Sequence, residues 1–106
     1  MQREEFRSFD LAAVLRELRE AILNARVSNI YQLNGATLLF KLRRGEKIYS
    51  LILEAGKRLN LTAYAPEKPL HPPAFCMALR KYLRNSTLTN IEQHKFERIA
   101  ILSFTG

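Results

Sequence analysis

Ten carboxylates, two histidines and one cysteine are the side chains of this 106-residue chain best suited to ligate a metal, and they are among those that could do covalent or acid–base chemistry. Their spacing builds none of it. A nucleophilic Cys–His pair needs Cys76 beside His71 or His94, but Cys76 falls on the apolar stripe of a helical pattern, where a cysteine behaves as a small hydrophobe. Two histidines and a cysteine without regular spacing do not make a zinc site. The four glycines (Gly35, Gly45, Gly56, Gly106) stand singly in turns or at the end, so no phosphate-cradling glycine-rich loop exists. The one adjacent carboxylate pair near a terminus is Glu4-Glu5. The expectation is no catalytic residue, no metal, no cofactor and no small-molecule substrate: the chain is not an enzyme.

Binding has better material. Arg80, Lys81 and Arg84 occupy one part of a helix surface about a turn apart, and His94, Lys95 and Arg98 follow on the next hairpin. Tyr31, Tyr49, Tyr64 and Tyr82 carry rings able to stack on bases, although three of the four sit in strand patterns where packing competes for them. The net charge is +7. Residues 1–20 carry four basic and five acidic side chains, residues 21–106 thirteen and five, so the whole excess lies in the second region. A folded basic surface suits a polyanion, because neutralising phosphates releases condensed counterions, and it also serves solubility.

The elements that must position these groups follow from hydrophobic period. In residues 11–25, Leu11, Val14, Leu15, Leu18, Ile22 and Ala25 recur at three- and four-residue intervals, with Arg16, Glu17, Arg19 and Glu20 opposite. Ser8 or Asp10 is the expected N-cap. From Arg26 the period falls to two. Strands are expected over Arg26–Leu33, Thr37–Arg43, Lys47–Glu54 and Arg58–Tyr64, with turns at Asn34-Gly35, Arg44-Gly45-Glu46 and Ala55-Gly56-Lys57. Asn34 and Gly35 both tolerate positive φ. Lys47–Glu54 is apolar on both faces, as expected of a central strand covered on two sides. Pro66, Pro69 and Pro72 mark an extended connection. Pro73 opens a second helix with Phe75, Cys76, Leu79, Tyr82 and Leu83 inward and Arg80, Lys81 and Arg84 outward. Thr87–Gln93 and Arg98–Phe104 are two further strands, the last with Ala100, Leu102 and Phe104 on one side and Ile99 and Ile101 on the other. The fold class is α+β: an antiparallel β-sheet or sandwich with two helices packed on it.

Length allows one domain, residues 1–106, with a real core. A lone cysteine permits no intrachain disulfide and suits a reducing compartment. The start, MQREEFRSFD, lacks the apolar run of a signal peptide, and no stretch approaches a membrane span. A cytoplasmic location without membrane contact is expected. The apolar strand ending just before Gly106 suggests a fragment of a longer protein.

The order RVSNIYQ, ILEAGKRLNLTAY, PPAFCMALRKYL and NIEQHKFERIAILSF resembles the amino-terminal domain of the NFACT family, from about Phe9 to Phe104. The segments Phe75-Cys76-Met77-Ala78-Leu79-Arg80-Lys81 and Gln93 with Glu97-Arg98-Ile99 are the most specific. The family includes proteins first described as fibronectin-binding protein A-like and the nuclear export mediator factor. The resemblance implies a longer protein with further helix-hairpin-helix, coiled-coil and RNA-binding regions. It implies association with the large ribosomal subunit carrying a stalled peptidyl-tRNA, recruitment of aminoacyl-tRNA and extension of the stalled chain. In the first domain it implies a fold similar to that of formamidopyrimidine-DNA glycosylases, and a part in holding tRNA.

The family usually has an Asp-Arg pair where this chain has Glu97-Arg98, one methylene longer on the acid. Arg98 is the expected phosphate grip, with Glu97 orienting it or accepting from ribose or base, and Arg80, Lys81, Arg84 and Lys95 are the expected surround. The glycosylases attack with an amino-terminal proline, whereas this chain begins Met1-Gln2 and has no proline before Pro66. Base excision is therefore not carried over. The other reading the family's older names suggest is a protein-contact or adhesion domain without RNA binding.

Overall fold

The computed structural model describes residues 8–54, 57–63, 67–94 and 99–106. Helix α1 spans Ser8–Ile22 and buries Leu11, Leu15, Leu18 and Ile22, a strict alternation of four- and three-residue steps. Arg16, Glu17, Arg19 and Glu20 are exposed, as the spacing predicts. Asp10 lies inside the helix rather than at its cap. The chain leaves α1 through Asn24 in the left-handed region (φ 73), a conformation asparagine tolerates better than most residues. Ala25 then donates its N–H back to the Ile22 carbonyl at 3.0 Å.

Strands β1 (Arg26–Asn34), β2 (Thr37–Arg44), β3 (Lys47–Glu54) and β4 (Arg58–Thr62) form the expected antiparallel meander. The first turn sits one residue later than expected, at Gly35-Ala36. Asn34 contributes its side chain and not a positive φ: its Oδ1 accepts the Ala36 N–H at 2.9 Å. Gly45 does use a positive φ (64) in the β2–β3 turn. The expected turn at 55–57 and the start of the proline-rich connection fall partly outside the described residues. Helix α2 (Ala74–Leu83) follows, with Pro73 as its N-cap, and then β5 (Thr87–Gln93) and β6 (Ala100–Thr105).

The six strands form one antiparallel sheet in the order β4-β3-β2-β1-β5-β6. One face carries Val27, Ile30, Phe40, Leu42, Leu51, Leu59, Leu88 and Ile91 and closes over α1. Three strand spacings of ~4.8 Å would hold β2 and β6 about 14 Å apart if the sheet were flat. Phe40 of β2 and Phe104 of β6 instead stack with centroids 5.9 Å apart, so the sheet curls around its contents. Strand β3 is interior and two-sided as expected, since Leu51 is buried inside and Ile52 outside, where it pairs with the equally buried Leu39. On β6, Ala100, Leu102 and Phe104 pack on the core while Ile101 and the preceding Ile99 are exposed, also as expected, although the strand begins at Ala100.

Strands β1 and β5 share one residue pair, Arg26 with Thr87. Beyond that rung the free edge of β1 is taken by α2. Here the helix departs from the expected stripe. At about 100° per residue, Cys76, Leu79, Arg80 and Leu83 share one arc, and these are the buried or half-buried positions. Phe75 and Tyr82 lie on an outer flank, 58% and 74% exposed.

Candidate nucleic-acid interface

The free edge of β1 offers backbone acceptors, and α2 meets them with donors. The Ile30 carbonyl accepts from Arg80 Nε at 2.7 Å and from Cys76 Sγ at 3.4 Å. A half-buried arginine is thus held inward where the sequence predicts an outward one, because a sheet edge buried under a helix requires polar partners. One turn on, Arg84 Nη2 donates to Asn29 Oδ1 at 2.6 Å. The same oxygen accepts the Ile30 N–H at 2.9 Å, and Asn29 Nδ2 donates to Tyr31 Oη at 3.0 Å. These bonds sit at the irregularity between Val27 and Asn29 in the β1–β2 register, which brings Asn29 and Tyr31 onto the outer face.

The Tyr31 ring collects charge. The Arg80 guanidinium carbon lies 5.3 Å from its centroid and Lys68 Nζ 5.1 Å. Both separations fall within cation–π range, worth ~0.5–1 kcal/mol each at an open site. Arg80, Arg84 and Lys68, from one helix and the connection before it, therefore converge on two side chains of β1. Among the described residues the one ion pair is Arg58 with Glu54 at 3.1 Å, on the β4 side of the sheet, so no carboxylate there neutralises the cluster. Arg80 spends Nε on the backbone, and its Nη groups have no hydrogen-bond partner among the described residues. A guanidinium oriented in this way presents a fork suited to phosphate or carboxylate oxygens.

Of the six binding positions expected from sequence, Arg80 and Arg84 are brought together. Lys81 stands apart on the outer arc of α2, exposed, with its Nζ 5.6 Å from the Tyr82 ring. Lys95, Glu97 and Arg98 lie outside the described residues, as does Tyr64. The pairing of β5 with β6 ends with the His94 N–H on the Ile99 carbonyl at 2.9 Å. Tyr49 packs against the core rather than offering its ring. Asn29 and Lys68 were not legible as site residues. Asn29 stands in the RVSNIYQ segment, but its role depends on the strand irregularity, and Lys68 reaches Tyr31 only through the path of the proline-rich connection. Among the described residues no group of three or more His, Cys, Asp or Glu could hold a metal ion, and no helix is long and apolar enough to cross a membrane.

A curled antiparallel sheet around one helix, with a second helix docking arginines on a sheet edge, defines an α+β module with a cationic face. The chain belongs to the NFACT family: the family described as NFACT N-terminal and middle domains matches residues 8–106. It is 34% identical over 105 residues to ribosome quality control complex subunit 2 of Schizosaccharomyces pombe, covering 98% of this chain and 10% of that protein. It is 33% identical over 102 residues to the human ribosome quality control complex subunit NEMF, covering 96% and 10%. Among solved structures, the N-terminal domain of fibronectin-binding protein PavA from Streptococcus pneumoniae superposes with a TM-score of 0.88 at 31% identity, over 93% of this chain and 40% of that one. The chain thus spans about a tenth of the length of the curated relatives it matches.

Proposed function

We propose that this chain is the RNA-facing module of a ribosome quality-control factor, binding tRNA and the large ribosomal subunit when a nascent chain has stalled. The carrying observation is the Arg80–Arg84–Lys68 cluster, braced on Ile30, Asn29 and Tyr31 with no carboxylate partner among the described residues. The names of the relatives, ribosome quality-control subunits from yeast and human, supply the setting. On this reading residues 1–106 act as one module of a longer cytoplasmic factor. The module binds rather than catalyses. Arg98 grips a phosphate, Glu97 orients it, and Lys95 and Lys81 add charge around them.

The test is tRNA affinity measured by fluorescence anisotropy across a salt series. Arg84→Ala and Arg98→Ala should each weaken binding by roughly tenfold to hundredfold, the equivalent of a charge-assisted contact of ~1.5–3 kcal/mol. Arg58→Ala, which removes a cation already paired with Glu54, should change it little. Glu97→Asp restores the usual family pair and should preserve or improve binding. Normal folding with parental affinity in both Arg84→Ala and Arg98→Ala would reject the assignment.

One observation favours a second reading, docking of a protein. Phe75, Met77, Tyr82 and Leu70 are 58%, 57%, 74% and 92% exposed around α2. Protein docking through this apolar rim would persist in salt that abolishes phosphate contacts.

A further inference from the structure

A second concentration of charge lies at the seam where β1 meets β5. Arg26 and Arg43 are direct cross-strand partners in the β1–β2 register. Like charges directly opposite each other destabilise a sheet, so the pair is retained at a cost in the absence of an anion. Arg26 also pairs with Thr87, the single rung joining β1 to β5. Arg44 stands next to Arg43 and is fixed: its Nη1 donates to the carbonyls of Glu20 at 2.7 Å and Ala21 at 3.0 Å, closing the end of α1. Arg43 is steadied by Nε on the Gly45 carbonyl at 3.2 Å.

The three arginines frame a pocket of about 420 Å³ completed by Asn24, Gly45 and Thr87. No carboxylate lines it, and among the described residues none of the three arginines has an ion-pair partner. Every lining residue is exposed except the half-buried Thr87. The pocket also has no aromatic or large aliphatic wall. Such a site reads charge and not shape, and its open form suits a group carried on a passing chain better than an enclosed small molecule.

We infer that the pocket framed by Arg26, Arg43 and Arg44 is a phosphate-binding site, distinct from the α2 cluster, that grips a backbone phosphate of bound RNA. The source of the phosphate rests on the proposed RNA-facing role, whereas the affinity for phosphate rests on the pocket alone. Asn29 and Arg26 are three residues apart on β1, a rise of ~10 Å. One extended strand of RNA can therefore meet both places.

The test uses the double variant Arg26→Gln/Arg43→Gln, sparing Arg44 because it closes α1. Two probes are used: a labelled 12-mer of oligouridine read by anisotropy, and sodium phosphate titrated while the Asn24 and Gly45 amides are followed by NMR. In the parent, phosphate should move both amides where equal chloride does not, and the variant should lose the response. RNA affinity of the variant should fall by about tenfold to hundredfold, with the salt slope reduced by about 0.7 per lost phosphate contact. The variant should melt no lower than the parent in low-salt, phosphate-free buffer, because a repulsive pair has been removed. A lower melting temperature with no phosphate response in the parent would overturn the inference and leave the arginines a structural role. Amides that respond to phosphate, with RNA affinity unchanged in the variant, would keep the site and assign it to a free phosphate-bearing ligand. Loss of RNA binding in the pocket variant but not in Arg84→Ala would uphold the pocket and reject the α2 interface. The reverse pattern, with silent amides, would reject the pocket alone.

Discussion

Replacing Arg80 by alanine should cost stability before it costs binding, and by an amount that can be worked out. The side chain contributes a charge-assisted hydrogen bond of 2.7 Å to the Ile30 carbonyl and a cation–π contact to Tyr31 at 5.3 Å. Hydrogen bonds from charged donors are worth ~1.5–3 kcal/mol and exposed cation–π contacts ~0.5–1. Partial exposure of Arg80 and the remaining Cys76 thiol on the same carbonyl pull the total toward the lower end, about 2 kcal/mol. With a urea m-value on the order of 1.5 kcal/mol/M for a domain of this size, the midpoint should fall by about 1.3 M at unchanged m. Equilibrium urea unfolding followed by far-ultraviolet circular dichroism measures it. Lys81→Ala on the outer arc of the same helix is the matched control and should move the midpoint by less than about 0.3 M, as surface substitutions do. Arg80→Lys should recover little, since an ammonium cannot reproduce the Nε geometry while resting over the ring. If Arg80→Ala and Lys81→Ala unfold at the same urea concentration, the edge-capping role of Arg80 is wrong.

Other perturbations test other parts of the fold. Phe40→Ala should cost ~3–5 kcal/mol, and a double-mutant cycle with Phe104→Ala should return a coupling of ~0.5–1.5 kcal/mol for the ring stack, both read from thermal melts. Cys76 is fully buried with its thiol on a backbone carbonyl, so a thiol-reactive dye should label it only as fast as the protein opens, and at once in denaturant. At Asn85, φ 72 just past α2, Asn85→Gly should be tolerated and Asn85→Val should cost on the order of 1–2 kcal/mol of unfolding free energy, measured by the same urea titration.

Much of the architecture was legible because turns and period agree. Lys47–Glu54, apolar on both faces between two turn signals, and Thr87–Gln93 have the strand limits expected from the sequence. The α2 stripe was not legible, for a physical reason. Apolar periodicity describes a helix facing a greasy surface, but α2 faces a strand edge whose carbonyl needs a donor. Arg80 therefore takes an inward place that the apolar stripe assigns to Phe75 and Tyr82. Arg84 was readable as a site residue from its spacing to Arg80, while its partner Asn29 depends on a strand irregularity that alternation cannot show. The Arg26–Arg43 pairing spans seventeen positions and exists only once the β1–β2 register is set.

The single rung between β1 and β5 has a consequence for how the chain folds. Contacts within the meander are local, as with Lys41 and Ser50, nine residues apart. The β5–β6 hairpin is tied back over longer stretches of chain, by the Leu88 N–H on the Ala25 carbonyl, by the Phe40–Phe104 stack, and by the Arg19 side chain on the Ile91 carbonyl across 72 residues. An eightfold longer loop is three doublings, each costing about 0.6 kcal/mol of closure entropy, or about 1.8 kcal/mol in all. The meander thus gains its contacts cheaply, whereas the contacts that dock the hairpin on α1 and on the meander each close a far longer loop. The hairpin is expected to open before the meander in the native state, so amide protons of Leu88 and Ile91 should exchange with solvent ahead of those of Phe40 and Leu51, in the meander.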